Sequence, residues 1–299
     1  MTRLHGILIM FASAFVVSFS GLLFRKIEKM EIFEIVFVRS LALVVIIFII
    51  LLFLHKSLVF KKILSIGWSG LLASVCIGAA MTTYLFAFTY TTVANTLFTL
   101  CATPFIAAIL AFIFLKEKIP FFNICMMIIA ALGIYIMFSG SIKSGELLGN
   151  LFALGTSLFF ALFAITLRAN NHIDMIPTLL INGIIMTLIG GYLSDFNFYF
   201  SKTEILYCFI WGGILQGIAQ PLIVVATRLI KASEITLIQL VEFSLGPIWV
   251  WFILNEYPNK YTLIGGSIVI FSVLMLGLNE LKKNLLAKNS YLKKLIGKF

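Results

Sequence analysis

Apolar runs long enough to cross a bilayer recur ten times along this chain, and nothing else in it constrains the fold so strongly. They fall at about 4–24, 32–54, 65–88, 92–115, 121–138, 147–167, 176–193, 205–227, 234–254 and 261–278. One helical crossing needs about 20 apolar residues. In hydrocarbon every backbone N–H and C=O must be bonded within the protein, which leaves helices or closed barrels. Runs of this length select helices. Only 11% of the residues are charged and 62% are hydrophobic, whereas a soluble domain carries about 25% charge. The expectation is an all-α polytopic membrane protein. No connecting loop is long enough to hold a soluble domain.

The net charge of +10 does not call for nucleic acid, because cytoplasmic loops of membrane proteins are enriched in Lys and Arg. Arg3, Lys56, Lys61, Lys62, Lys116, Lys118, Arg168, Arg228, Lys231 and six lysines after Leu281 would lie on the N-terminal side of ten spans. Arg25, Lys26, Lys29, Lys143, Lys202 and Lys260 would lie on the other. This bias places both termini in the cytoplasm. The basic tail could also touch anionic headgroups. The first span is too long for a cleaved signal sequence and is read as retained. Cys76, Cys101, Cys125 and Cys208 all fall within spans and form no CxxC pair, so they read as small packing residues.

The chain repeats itself. Asn95–Glu117 and Glu234–Glu256 are both apolar runs that end on a glutamate, and an offset of 139 places Thr103 on Glu242 and Glu117 on Glu256. Gly6 and Arg25 bracket the first span, and Gly149 and Arg168 bracket the sixth at the same separation. That offset of 143 places Arg39 on Asn182. The organisation is therefore a first half over 1–138, a small-residue linker over 139–146, a second half over 147–280, and a basic tail over 281–299. Each half has five spans, an odd number, so the second copy lies upside down relative to the first. Ten transmembrane helices in two inverted five-helix repeats are a signature of secondary transporters, with the site near the midplane.

The polar residues inside the spans are the candidates for that site. Glu242 is foremost, because a charge at the centre of a span costs about 2.5–3.5 kcal/mol on insertion scales. Gln239, Glu242, Gly246 and Trp249 follow helical steps of three and four and share one face. Gln216 and Gln220 do so beside Pro221, and Asn95, Thr99 and Thr103 do so in the fourth span. Tyr84 and Ser18 are further candidates. Interhelical hydrogen bonding is the competing role for the hydroxyls, at about 0.6 kcal/mol per contact. Arg39 lies about two turns into the second span, where it could snorkel or pair with Glu242. Pro104, Pro221 and Pro247 lie inside spans and point to a cavity or to packing kinks. Glu117 and Glu256 read as interfacial caps or anchors. Glu242 could meet the cationic end of a substrate, or carry a proton, since burial favours the neutral form of any carboxyl. Trp249 and Tyr84 could wall the site.

FIFLKE in one half and WFILNE in the other, each closing a fourth span, resemble the EamA-type transporters of the drug/metabolite transporter superfamily. ATPFIAAILAFIFLKE is similar to that family's first-half motif. EFSLGPIWVWFILNE is similar to the second, with Glu242-Phe243 where Glu-Pro is usual. The resemblance implies alternating access by two halves, and export or uptake of a small organic metabolite such as an amino acid or a relative. The loop NEYPNK is similar to that of members moving S-adenosylmethionine. The resemblance implies residence in the bacterial inner membrane, a metabolite handled in contact with lipid, coupling to protons or exchange, and no cofactor or metal.

Other classes find no support in the residues. HExxH, an Asp-rich pair and GxSxG, the marks of an embedded enzyme, are absent, and His5, His55 and His172 are scattered. A P-loop and a repeated carbonyl filter are absent too, so neither ATP-driven transport nor a channel of that kind is indicated.

Overall fold

The computed structural model describes residues 3–170, 173–196, 201–226, 229–230 and 232–296. These residues are predominantly helical, with no strand among them. We number the long helices α1 (Leu4–Arg25), α2 (Ile32–His55), α3 (Gly67–Tyr90), α4 (Val93–Leu115), α5 (Phe121–Ser144), α6 (Leu147–Ala169), α7 (Ile176–Leu193), α8 (Lys202–Ala226), α9 (Ala232–Leu254) and α10 (Lys260–Ile296). Among the described residues, nine are long and apolar enough to cross a membrane, and α9 contributes the shorter apolar stretch Ile238–Leu254. The ten spans expected from sequence agree with these helices to within a few residues, except at two ends. Phe53, Phe114, Leu132, Leu188 and Phe252 stand exposed on the outside, as a lipid-facing surface requires. Arg228, Lys231 and His172 fall outside the described residues.

Both exceptions involve helices that run further than expected. The linker set at 139–146 is mostly helix, because α5 continues to Ser144 and ends on Gly145 in the left-handed region, φ +79°. Its small residues serve packing: a Cβ on Gly140 would lie 2.5 Å from Tyr261 Cβ on α10. The tail beginning at 281 likewise continues α10 to Ile296. Leu, Lys and Ala are good helix formers, and no Gly or Pro interrupts them before Gly297.

The contacts between helices pair one half with the other. The largest interfaces join α3 to α6, α5 to α10, and α2 to α7; α1 packs on both α8 and α9, and α4 on α6 and α9. Exchanging α1–α5 with α6–α10 turns α3/α6 into α8/α1 and α4/α6 into α9/α1, and leaves α5/α10, α2/α7 and α4/α9 as they are. The repeat glycines show the same exchange. A Cβ on Gly6 would meet Leu229 Cβ at 2.8 Å, beyond α8, and one on Gly149 would meet the Tyr90 carbonyl carbon at 2.6 Å, at the end of α3. Each half thus inserts its opening glycine against the third helix of the other.

Small residues are needed here because lipid supplies no hydrophobic drive between helices, so association rests on close contact. At the α5–α10 crossing the two backbones touch through glycine: a Cβ on Gly133 would lie 2.7 Å from the Gly265 oxygen. Gly133→Val should therefore destabilise the folded protein by about 1–3 kcal/mol, read as a lower melting temperature in detergent. Gly155→Ala, where the nearest atom is 3.7 Å from the new Cβ, should melt with the parent. Equal melting of the valine variant would mean the crossing can open without cost.

Candidate functional site

Three helices depart from regular geometry near the middle of the bundle. In α1 the helix breaks between Val17 and Ser20. In α4 it breaks between Leu100 and Thr103, just ahead of Pro104. In α8, Ile210–Gln216 forms a π-helical stretch before Pro221, a distortion found most often at functional sites. Two of the three interior prolines thus sit beside breaks, while Pro247 lies within a continuous α9.

Between these irregular segments lies a cavity of about 90 Å³. Of the residues singled out from sequence, Glu242, Gln239, Gln216, Gln220, Tyr84 and Thr103 line it. They come from α9, α8, α3 and α4. The lining follows the repeat. Offset by 139, Ile77 faces Gln216 as its counterpart, Met81 faces Gln220, Leu100 faces Gln239, and Thr103 faces Glu242; all eight line the cavity. Val17 and Phe160 are counterparts offset by 143 and line it too. The two walls are alike in position and unlike in chemistry. Three glutamines and the acid come from α8 and α9, while α3 and α4 contribute mainly Ile77, Met81 and Leu100.

Glu242 is partly buried, and no described residue donates a hydrogen bond to it. Arg39 does not pair with it. The guanidinium instead donates to Gln216 Oε1 at 3.1 Å and lies over the Trp211 ring, 4.9 Å from its centre. Arg39 is 3% exposed and its Nε has no acceptor. A buried cation is thus held by one neutral amide at the cavity wall and by the face of one indole. α8 approaches α2 so closely at Gly212 that any Cβ there would overlap Arg39. The Gln216 amide donates in turn to Met81 Sδ at 3.4 Å.

The remaining candidates lie off the cavity. The Trp249 indole donates to Ser18 Oγ at 2.9 Å and stacks on Phe19 at 4.8 Å, tying α9 to the break in α1. Asn95 is buried in a polar knot, donating to Ser141 Oγ at 3.0 Å and Glu146 Oε2 at 3.2 Å and accepting from Thr262 at 2.8 Å. This knot joins α4, α5 and α10. Thr99 is fully buried with its hydroxyl unpartnered. Met81, Phe160, Phe163 and Thr156 line the cavity and were not singled out from sequence. As apolar or small hydroxyl residues in spans they look like core; only the repeat offset, carried from Gln220 to Met81, would have drawn them in.

Fold and site define a polytopic α-helical membrane protein with a central cavity between two exchanged halves. Residues 4–139, covering nearly all of the first five helices, match the EamA-like transporter family, in agreement with the resemblance to the drug/metabolite transporter superfamily, whose members are membrane transporters. A solved structure, described only as "Crystal structure of protein", is similar to this chain with a TM-score of 0.68 at 13% identity, over 92% of this chain and 98% of that one. It shows a shared fold. No curated protein matches this chain.

Gln216 is the one side-chain oxygen on the Arg39 guanidinium among the described residues. Gln216→Leu should lower stability by about 1.5–3 kcal/mol, the value of a hydrogen bond to a charged group, seen as a fall in melting temperature. Adding Arg39→Met should recover most of it, because the stranded charge is removed. A double variant as unstable as the single one would show that the amide serves packing instead.

Proposed function

We propose that the protein moves a small amphipathic organic metabolite, an amino acid or a related compound, across the membrane by alternating access of its two halves. Glu242 is the partner of the substrate's cationic group. Gln216, Gln220 and Gln239 hold its polar atoms, and the wall of Ile77, Met81 and Leu100 holds its apolar part. Arg39, behind Gln216, biases that end of the cavity toward an anionic group. The observation that carries this reading is a carboxylate inside the bundle, lining a cavity, with no described donor. A carboxylate within the span and without a described donor is costly unless a ligand or proton completes it. Gln216, Gln220 and Gln239 on α8 and α9 stand where Ile77, Met81 and Leu100 stand on α3 and α4, which supports an amphipathic ligand.

The S-adenosylmethionine reading rests on the NEYPNK loop. Here Glu256 from that loop is engaged by Arg25 and the Val93 N–H, and no residue of the loop lines the cavity, so the cavity residues rather than the loop carry the proposal. Proton coupling fits the same carboxyl, which can carry a proton in one phase of the cycle and meet the substrate in the other. Both termini are cytoplasmic under this proposal, in a bacterial inner membrane.

Glu242→Gln should reduce transport about tenfold or more, the loss of one charge-assisted contact. The variant should remain monodisperse and melt no lower than the parent, since the acid it replaces has no described donor. A thermal-shift series over amino acids and their methylated and sulfonium derivatives would first identify a usable substrate. Undiminished transport by the glutamine variant would remove Glu242 from the mechanism. Collapse of the pH gradient should abolish uphill accumulation, and accumulation indifferent to the gradient would replace coupling by exchange or facilitated diffusion.

A further inference from the structure

Two ion pairs sit at opposite ends of the bundle and are copies of one another. Arg25 ends α1 and binds Glu256 at the end of α9, Nε to Oε2, at 2.7 Å. Arg168 near the end of α6 binds Glu117 at the end of α4 at 2.8 Å. The offsets that relate the halves place Arg25 on Arg168 and Glu117 on Glu256. Each pair therefore joins the first helix of one half to the fourth helix of the other. Because the chain alternates direction, Arg168 and Glu117 lie on the face where α1 starts, and Arg25 and Glu256 lie on the opposite face.

The two copies differ in strength. Arg25 also donates to the Phe88 oxygen at 2.8 Å and the Thr91 oxygen at 2.8 Å, and Glu256 accepts from Val93 N at 2.8 Å. Their side chains are 25% and 22% exposed. Arg168 and Glu117 are 57% and 43% exposed and bind only each other among the described residues. An exposed pair is screened by water and salt and holds little, whereas several charge-assisted bonds in a sheltered site hold much more. The cavity lies off centre in the same sense. Leu167, Leu179 and Val224, from the Arg168 side, line it, while Phe88, Val93 and Val250 are packed in core on the Arg25 side; a separate cleft of about 480 Å³ beside Phe24 and Arg25 shares no lining residue with the cavity.

We propose that the two pairs are alternating latches of the transport cycle, and that this conformation is held firmly on the Arg25–Glu256 face and only loosely on the Arg168–Glu117 face, although both pairs are formed. The inference rests on the alternating-access reading above and adds the residues that set which face opens. These four are positioning residues and touch no substrate. An inverted repeat supplies the same latch at both ends, so gaining bonds at one end while losing them at the other shifts the balance between two related states.

The test needs no substrate. In full-length protein with its four cysteines replaced by alanine, a single cysteine at Gln220 reports access to the cavity. It is labelled by a membrane-impermeant maleimide added to right-side-out or inside-out vesicles. The parent should react from the N-terminal face. Glu256→Gln should raise the rate from the far face about tenfold, as loss of a charged hydrogen bond implies. Glu117→Gln, at the weak exposed pair, should lower that rate about twofold, and the double variant should fall between. Opposite signs are not produced by general loosening. Shifts of the same sign, or none, in variants that melt normally would overturn the proposal. If Glu256→Gln does not fold, an unchanged ratio in Glu117→Gln suffices to reject it. Normal transport by Glu242→Gln would remove the substrate role of that acid and leave the labelling result standing.

Discussion

Everything in this structure depends on helices holding together in a solvent that does not push them together. Hydrocarbon is as apolar as a leucine side chain, so burying apolar area against it gains nothing, and contact must be close or polar to count. The chain meets this with glycine at crossings between its halves. Gly133 and Gly265 bring α5 and α10 to backbone contact, Gly183 and Gly190 do the same between α7 and α2, and Gly6 and Gly149 admit the end of the opposite half's third helix. Polar knots such as that around Asn95 add bonds where three helices meet. Most of the extensive interfaces lie between the halves, so the repeat forms an interleaved body rather than two self-sufficient bundles.

Against that background the cavity is the place where close packing is relaxed. The breaks in α1 and α4 and the π-helical stretch in α8 each spoil a regular seam, and they leave room bounded by glutamines and an acid. The duplicated frame makes the two walls geometric counterparts, while substitution has placed three amides and an acid on one where the other carries Ile77, Met81, Leu100 and Thr103. Thr103 stands where Glu242 stands in the other copy, and Met81 where Gln220 stands. Under the proposed transport cycle, the frame would supply the symmetry of motion and departures from the repeat the selectivity.

Much of this was legible in the sequence because hydrocarbon imposes one rule on every span. Apolar length gave the helices, and paired offsets gave the halves. Glu242, Gln216, Gln220 and Gln239 were legible because polar residues in hydrocarbon need a reason to be there. Trp249, Ser18 and Asn95 satisfied the same criterion, yet Trp249 bonds Ser18 and Asn95 bonds Ser141 and Thr262, away from the cavity; a polar stripe does not say whether its partner is protein or ligand. The extent of α5 was hidden because Ser139, Gly140 and Ser141 read as a flexible joint, when small residues in a membrane protein equally mark a tight crossing. The partners of Glu117 and Glu256 were hidden for another reason. Each acid finds its arginine across the other half, at a sequence separation of 51 and 231 residues, and no local pattern records such a match.

The glycine contacts of α1 and α6 limit how the bundle can deform. Where the Gly149 backbone rests on the backbone of Tyr90 and Thr91, sliding along the helix would drive the next side chain into that backbone, but tilting about the point of contact costs little. Gly6 gives the matching point at the opposite surface. Two such fulcra, one near each surface, permit a rocking displacement of helix pairs and forbid a piston stroke. In the proposed alternating access, the cavity would then change which end it widens toward while its midsection keeps nearly constant width.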